Sequence, residues 1–202
     1  MHKFMCLLLA GITTACASDS GESGNKDPVA ATATSGGCIS GGGGALQAQL
    51  RGALTADLDW SNDHMLCEGG SRPDGKGLRV TLAGPLPDAG TDAGAGEKSS
   101  ARQLRFIFGI DYQDQAAGRA QALPTNVTVI LEGEGRMFAT RGSDRCAAEL
   151  LERRPLAAEG GRYERVHVRG YCTEPAAELA GDARLLVPTF EFTGRVATGD
   201  AP

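Results

Sequence analysis

Apolar and polar residues alternate with a period of two in several separate stretches, and that period decides the kind of element this chain can build. In residues 46–60, Leu46, Ala48, Leu50, Leu54, Ala56, Leu58 and Trp60 share one parity, while Gln47, Gln49, Arg51, Thr55, Asp57 and Asp59 share the other. A strand sends successive side chains to opposite faces, so this pattern predicts a half-buried strand. The four leucines also recur every four residues, as a helix would tolerate. Gly52 in the interior argues against that helix, at a cost of about 1 kcal/mol, and suits a bulge or bend in a long strand. Residues 103–112 repeat the pattern with Leu104, Phe106, Phe108, Ile110 and Tyr112 on one face and Ile107 on the other. They are the best candidate for a central strand, with Arg102 and Arg105 as charged gatekeepers against aggregation.

Further strands are expected over 78–83, 126–132, 136–140, 163–172 and 185–196. Gly133-Glu134-Gly135 separates two of them as a hairpin turn. Residues 68–77 are turn chemistry around Pro73-Asp74-Gly75. Pro188 cannot donate to a ladder, so the last strand is an edge or is broken. Residues 146–154 are ambiguous between strand and helix: their alanines, leucines and glutamates favour a short helix, with Ser143 or Asp144 as N-cap and Pro155 at its end. Seven or so strands at short spacing, with at most one short helix, predict an all-β fold. The expected architecture is an antiparallel β-sandwich rather than a barrel.

Composition divides the chain into a thin N-terminal part and a globular remainder. Residues 17–45 are mostly Gly, Ser, Ala and Thr, contain no aromatic residue, and carry Val29 and Ile39 as their only large aliphatics. Such a segment buries too little apolar surface to offset its ordering entropy, so it reads as a flexible tether. A flexible chain of this length spans about 30 Å root-mean-square. Residues 84–101 read as a second Gly/Pro/Ala-rich loop. The domain proper is expected over 46–202, long enough to support a real core.

The first sixteen residues, MHKFMCLLLAGITTAC, place His2 and Lys3 before an apolar run and then small residues before a cysteine. The run of about nine apolar residues is far short of the roughly 20 that cross a bilayer, but it suits a signal peptide. Thr13-Thr14-Ala15-Cys16 resembles the lipobox of bacterial lipoproteins. Ala15 matches that pattern, and Thr13 stands where it prefers an aliphatic residue. The resemblance implies cleavage of a signal peptide over 1–15, leaving 16–45 as the lipidated Cys16 with its tether. It further implies diacylglyceryl attachment at Cys16 and acylation of the new amino terminus. Several acyl chains give stable anchoring where a single one does not. Ala17 after the cysteine, where Asp would favour the inner membrane, implies an outer-membrane address facing periplasm or surface. The membrane is then one partner, through the lipid.

With Lys3 lost alongside the leader, 19 basic side chains face 25 acidic ones, a net charge of −6. That mild acidity, with arginines scattered between acids, excludes an electrostatic case for nucleic acid. Four cysteines remain beyond Cys6 and Cys16: Cys38, Cys67, Cys146 and Cys172. An even number in an exported protein predicts two disulfides out of three possible connectivities. The favoured pairs are Cys146–Cys172, which flank neighbouring segments, and Cys38–Cys67, which would pin the end of the tether. No CxxC occurs, and His64 and His167 lie at no ligand spacing with the cysteines, so no metal site is expected.

No constellation identifies a catalytic residue or a cofactor. Asp57, Asp59, Ser61, Asp63 and Glu68 sit at calcium-loop spacing, but Asn62 occupies the position that needs glycine, and Asp57 and Asp59 fall on a strand's solvated face. No G-x-S-x-G, phosphate loop or dinucleotide fingerprint is present. Asp111 and Asp114 near Tyr112 form a formal carboxylate pair and read as strand-end residues. Asn126-Val127-Thr128 is a formal glycosylation sequon that carries little weight in a bacterial setting. Arg141, Arg165 and Arg169 are candidates for an anion patch, and Tyr163 and Tyr171 for a sugar platform. The chain therefore reads as a lipid-anchored envelope protein with a ligand-binding, protein-binding or structural β domain. An envelope protein or a glycan is the expected partner. An envelope hydrolase with an unrecognised site is the alternative.

Overall fold

The computed structural model describes residues 37–87, 102–112 and 122–199. The leader, Cys16, most of the tether segment and Asp114 lie outside them. The strands are β1 (Ala45–Gly52), β2 (Ala56–Ser61), β3 (Leu66–Ser71), β4 (Gly77–Pro85), β5 (Gln103–Asp111) and β6 (Leu123–Glu132) in the first half. The second half adds β7 (Arg136–Ala139), β8 (Cys146–Pro155), β9 (Tyr163–Cys172), β10 (Ala176–Glu178), β11 (Arg184–Leu186) and β12 (Thr189–Ala197). Two 3₁₀ turns, Asn62–His64 and Ala157–Glu159, are the only helical pieces among the described residues.

Every ladder is antiparallel, and the strands run in the hydrogen-bonded order β3-β4-β5-β6-β7-β10-β11-β1-β12-β9-β8, with β2 paired to β1. This sheet folds over into two layers, β3 to β6 facing β2-β1-β12-β9. The start of β8 also pairs with β6, through Leu123↔Ala148 and Thr125↔Cys146. The layers are thus joined through β8 on one side and through β10 and β11 on the other. The fold is the expected antiparallel sandwich, closed at two corners.

The core sits where the inward parity of each strand meets. Phe108 of β5 packs against Phe190 and Phe192 of β12 at ring-centroid distances of 4.9 and 4.7 Å, across the two layers. Trp60 of β2 meets Phe106 edge-on at 5.9 Å and donates its indole N–H to the Pro85 carbonyl at 2.8 Å. That bond satisfies the one polar group of a large buried side chain.

Several expectations change in detail. The stretch 46–60 is two strands and not one: β1 ends at Gly52, whose φ of +108° suits glycine, and the chain returns as β2. Residues 66–71, four of which read as turn, form a full ladder with β4, and only 72–76 turn. Residues 146–154 are not a helix but most of β8. Helix propensity is a weak prior here, because Cys146 and Ala148 are buried and a full ladder to β9 supplies the backbone bonds. A bulge between Ala148 and Leu150 takes up the change of partners as β8 leaves β6. Pro188 breaks the last strand as its chemistry requires: β11 and β12 are separate, and both pair with β1.

Both disulfides have the favoured connectivity, Cys38–Cys67 and Cys146–Cys172. Cys146 and Cys172 face each other directly in the β8–β9 ladder. Cys38 and Ile39 are each only 1% exposed, so the folded part reaches back at least to Cys38, eight residues before the expected boundary at 46. No helix of the described residues is long and apolar enough to cross a membrane.

Candidate functional site

The outer face of the β2-β1-β12-β9 layer carries the polar parity of four adjoining strands. Register aligns those residues into rows across the strands. One row reads Asp59–Gln47–Glu191–Arg169, from β2 through β1 and β12 to β9. The neighbouring row holds Asp57 opposite Gln49, and Thr189 opposite Tyr171. Glu149, at the bulge of β8, closes the far side. Together they line an open groove of about 600 Å³ whose floor is the paired backbone around Ala48, Leu58, Gly170 and Phe190. Strand spacing makes the longer row about 14 Å from β2 to β9.

The groove lies on a rigid base. β1, β12 and β9 in its floor are paired on both sides and β2 forms its rim on β1, their inward side chains form the aromatic core, and the Cys146–Cys172 bridge ties the β8–β9 border. Four carboxylates and one guanidinium line it, so its field is negative. Asp57 forms an ion pair with Arg51 at 2.8 Å, and Glu191 Oε1 lies 2.8 Å from His167 Nε2. Exposed pairs of this kind contribute at most about 1 kcal/mol. Arg169, directly opposite Glu191 in the ladder, forms no ion pair with a described residue, although most arginines of the domain do.

The residues singled out from sequence fall in several places. Arg169 and Tyr171 reach the groove, as do Asp57 and Asp59. Arg165 does not join Arg169: His167 stands between them on β9, and Arg165 donates to the Gly42 carbonyl at 3.1 Å. Arg141 lies in the exposed 140–145 connection, so the three arginines form no single patch. What lines up instead is a row of Arg154, Arg165 and Arg195 across β8, β9 and β12. Like charges directly opposite repel. Each has its own counterpart here: Glu152 for Arg154, the Gly42 carbonyl for Arg165, and Glu159 for Arg195. Arg195 also covers the Tyr163 ring at 5.0 Å, which takes Tyr163 out of contention as a sugar platform.

The calcium spacing is taken apart by the fold. Asp57 and Asp59 sit on β2, Glu68 sits on β3 in the other layer, and the Asn62 carboxamide oxygen accepts from Ile39 N and Gly44 N at 2.9 and 3.0 Å. Among the described residues, no group of three His, Cys, Asp or Glu side chains is placed to hold a metal. His64 Nδ1 meets the Ser61 hydroxyl at 3.1 Å on an exposed turn. Tyr112, beside Asp111, accepts from Arg153 at 3.2 Å.

A second cleft, of about 440 Å³, lies along β3 and β4 and includes Glu68, Arg72 and Arg79. One of its two arginines is already engaged. Arg72 forks onto Asp74 through Nε and Nη2, at 3.1 and 2.6 Å, leaving Nη1 buried without a partner. That guanidinium, followed by the Lys76 backbone N–H, holds the Asp74 carboxyl below the usual carboxylate range. The arrangement closes a turn rather than offering a site.

Sequence reasoning missed Gln47, Gln49, Glu149, Thr189 and Glu191 as groove residues. Their signal was parity, which marks them as outward-facing. Nothing in the pattern says that β1 lies between β2 and β12. Comparison with protein-family models, curated proteins and solved structures finds no match to this chain.

Proposed function

We propose that this chain is a lipid-anchored cell-envelope protein whose sandwich is a binding module acting through the β2-β1-β12-β9 groove. The observation that carries the binding role is an open groove with polar side chains along it, among them Arg169, which pairs with no described residue, on a doubly stapled frame. Anchoring is supported by the leader and by the lipobox resemblance at Cys16, which imply an oxidising compartment; two disulfides agree with that compartment.

Two measurements test the reading. Labelled palmitate should enter the wild-type chain in cells and not a Cys16→Ser form; equal uptake by both would reject the anchor. A photoreactive residue at Gln49 should crosslink an envelope component that one at Arg79, on the other layer, does not. A binding module should also tolerate alanine individually at His64, His167 and Asp111. Identical crosslinking at Gln49 and Arg79 would remove the groove from consideration.

A further inference from the structure

We infer that the groove is built for a short oligosaccharide that bears no acidic groups, a conclusion that rests on the groove being the binding surface. Three features lead there. First, its polar side chains are of mixed kind: Gln47 and Gln49 each offer a planar donor and acceptor, Asp59 accepts, and Arg169 donates. Sugar hydroxyls donate and accept at once and sit in neighbouring pairs along a ring, so they match planar groups that present both functions side by side. Second, Tyr171 stands beside these groups, in the row next to Arg169, and a phenol ring suits the C–H face of a pyranose. Third, the groove runs across the strands for about 14 Å, so it accommodates a chain of several units laid perpendicular to β1 and β12.

The same geometry disfavours a peptide. An extended peptide binds a sheet by pairing with a free strand edge; among the described strands β2 offers such an edge only at one rim, whereas the floor over β1, β12 and β9 is the face of strands already paired on both sides. The groove is open, so it does not enclose an aromatic or aliphatic anchor of the kind that dominates protein interfaces. The surplus of carboxylates over Arg169 repels a polyanion. A neutral or amine-bearing glycan remains.

The test is titration calorimetry of the purified full-length protein in low salt. The probes are cellotetraose, chitotetraose, the tetramer of glucosamine, and tetragalacturonate as the acidic control. At least one of the first three should bind saturably, and tetragalacturonate should not. Tyr171→Ala and Gln47→Ala should each weaken that binding at least tenfold without moving the thermal midpoint, while Arg79→Ala, in the other cleft, should leave it unchanged. Absence of binding by the three non-acidic tetramers, preference for tetragalacturonate, or indifference to Tyr171→Ala would each overturn the glycan assignment. If the tetramers fail while a photoreactive residue at Gln49 still captures a partner in cells, the ligand class falls and the binding surface stands. If both fail, the surface falls as well.

Discussion

At the residue scale, Asn62 organises the entry of the chain into the fold. Its carboxamide oxygen takes two backbone donors, Ile39 N and Gly44 N, and its own carbonyl takes the Cys38 N–H at 3.0 Å. Gly41, Gly42 and Gly43 between them have φ near +85°, which L side chains rarely adopt. A Cβ on Gly44 would sit 2.7 Å from Asn62 Oδ1 and 2.9 Å from Cys38 Sγ, so the loop closes only with glycine there. Removing one acceptor from two buried donors costs about 1–3 kcal/mol per donor left without water. Asn62→Ala should therefore lower unfolding free energy by about 2 kcal/mol in urea titration, with the disulfides intact. A loss under about 0.5 kcal/mol would mean that the loop is not held by Asn62. The glycine run was legible as conformationally free, but its ordering by a side chain some twenty residues away was not.

At the element scale, the short strands β7 and β10 complete one corner of the sandwich with only two ladder partners, Ala139↔Ala177 and Phe138↔Glu178. A salt bridge reinforces them: Arg136 Nε donates to Glu178 Oε1 at 2.7 Å, and the guanidinium lies 5.1 Å from the Phe138 ring centre. The hydrogen bond from Arg136 is the main reason the Glu178 carboxyl lies below its ordinary value of 4.5, and the same contact raises Arg136. A carboxyl whose folded pKa is depressed adds stability above its unfolded pKa and loses it as pH falls through the folded one. The corner should thus loosen below about pH 4.5. Amide hydrogen exchange at β7 and β10 should accelerate on acidification in the wild type. In Glu178→Gln it should be fast already at neutral pH and change little further. An unchanged acid response in that variant would assign the effect to another carboxylate. The pairing of β7 with β10 had no sequence signal, because three residues of alternation are too few to read and the partners lie some forty residues apart.

At the scale of the whole molecule, two covalent staples act on different parts of one core. Cys38–Cys67 ties the segment leading into β1 to β3, and Cys146–Cys172 ties β8 to β9 where the layers meet. Their sequence separations, 29 and 26, are nearly equal. On the chain-entropy account each bridge contributes about 3–4 kcal/mol, and the two should be nearly equivalent. The paired variants Cys38→Ser/Cys67→Ser and Cys146→Ser/Cys172→Ser, compared by urea unfolding, should lose similar amounts. A much larger loss for one pair would locate the stabilisation in native contacts around that bridge rather than in the unfolded chain.

By itself the sequence determined the all-β class, the inward parity of most strands, the missing ladder donor at Pro188 and the chemistry available to the cysteines. These are local properties: side-chain alternation, a missing backbone donor and an even thiol count act over a few residues wherever the chain goes. Residues 146–154 mark the limit, since their helix propensity of a few tenths of a kcal/mol per residue yields to a ladder and a disulfide supplied from β9. Only the tertiary structure decided which outward faces adjoin. Gln47, Glu191 and Arg169 are spread over more than 140 positions of chain, and they share a groove because β12 inserts between β1 and β9. Strand order follows from how the core packs, and outward residues, which contribute little to that packing, carry no imprint of it.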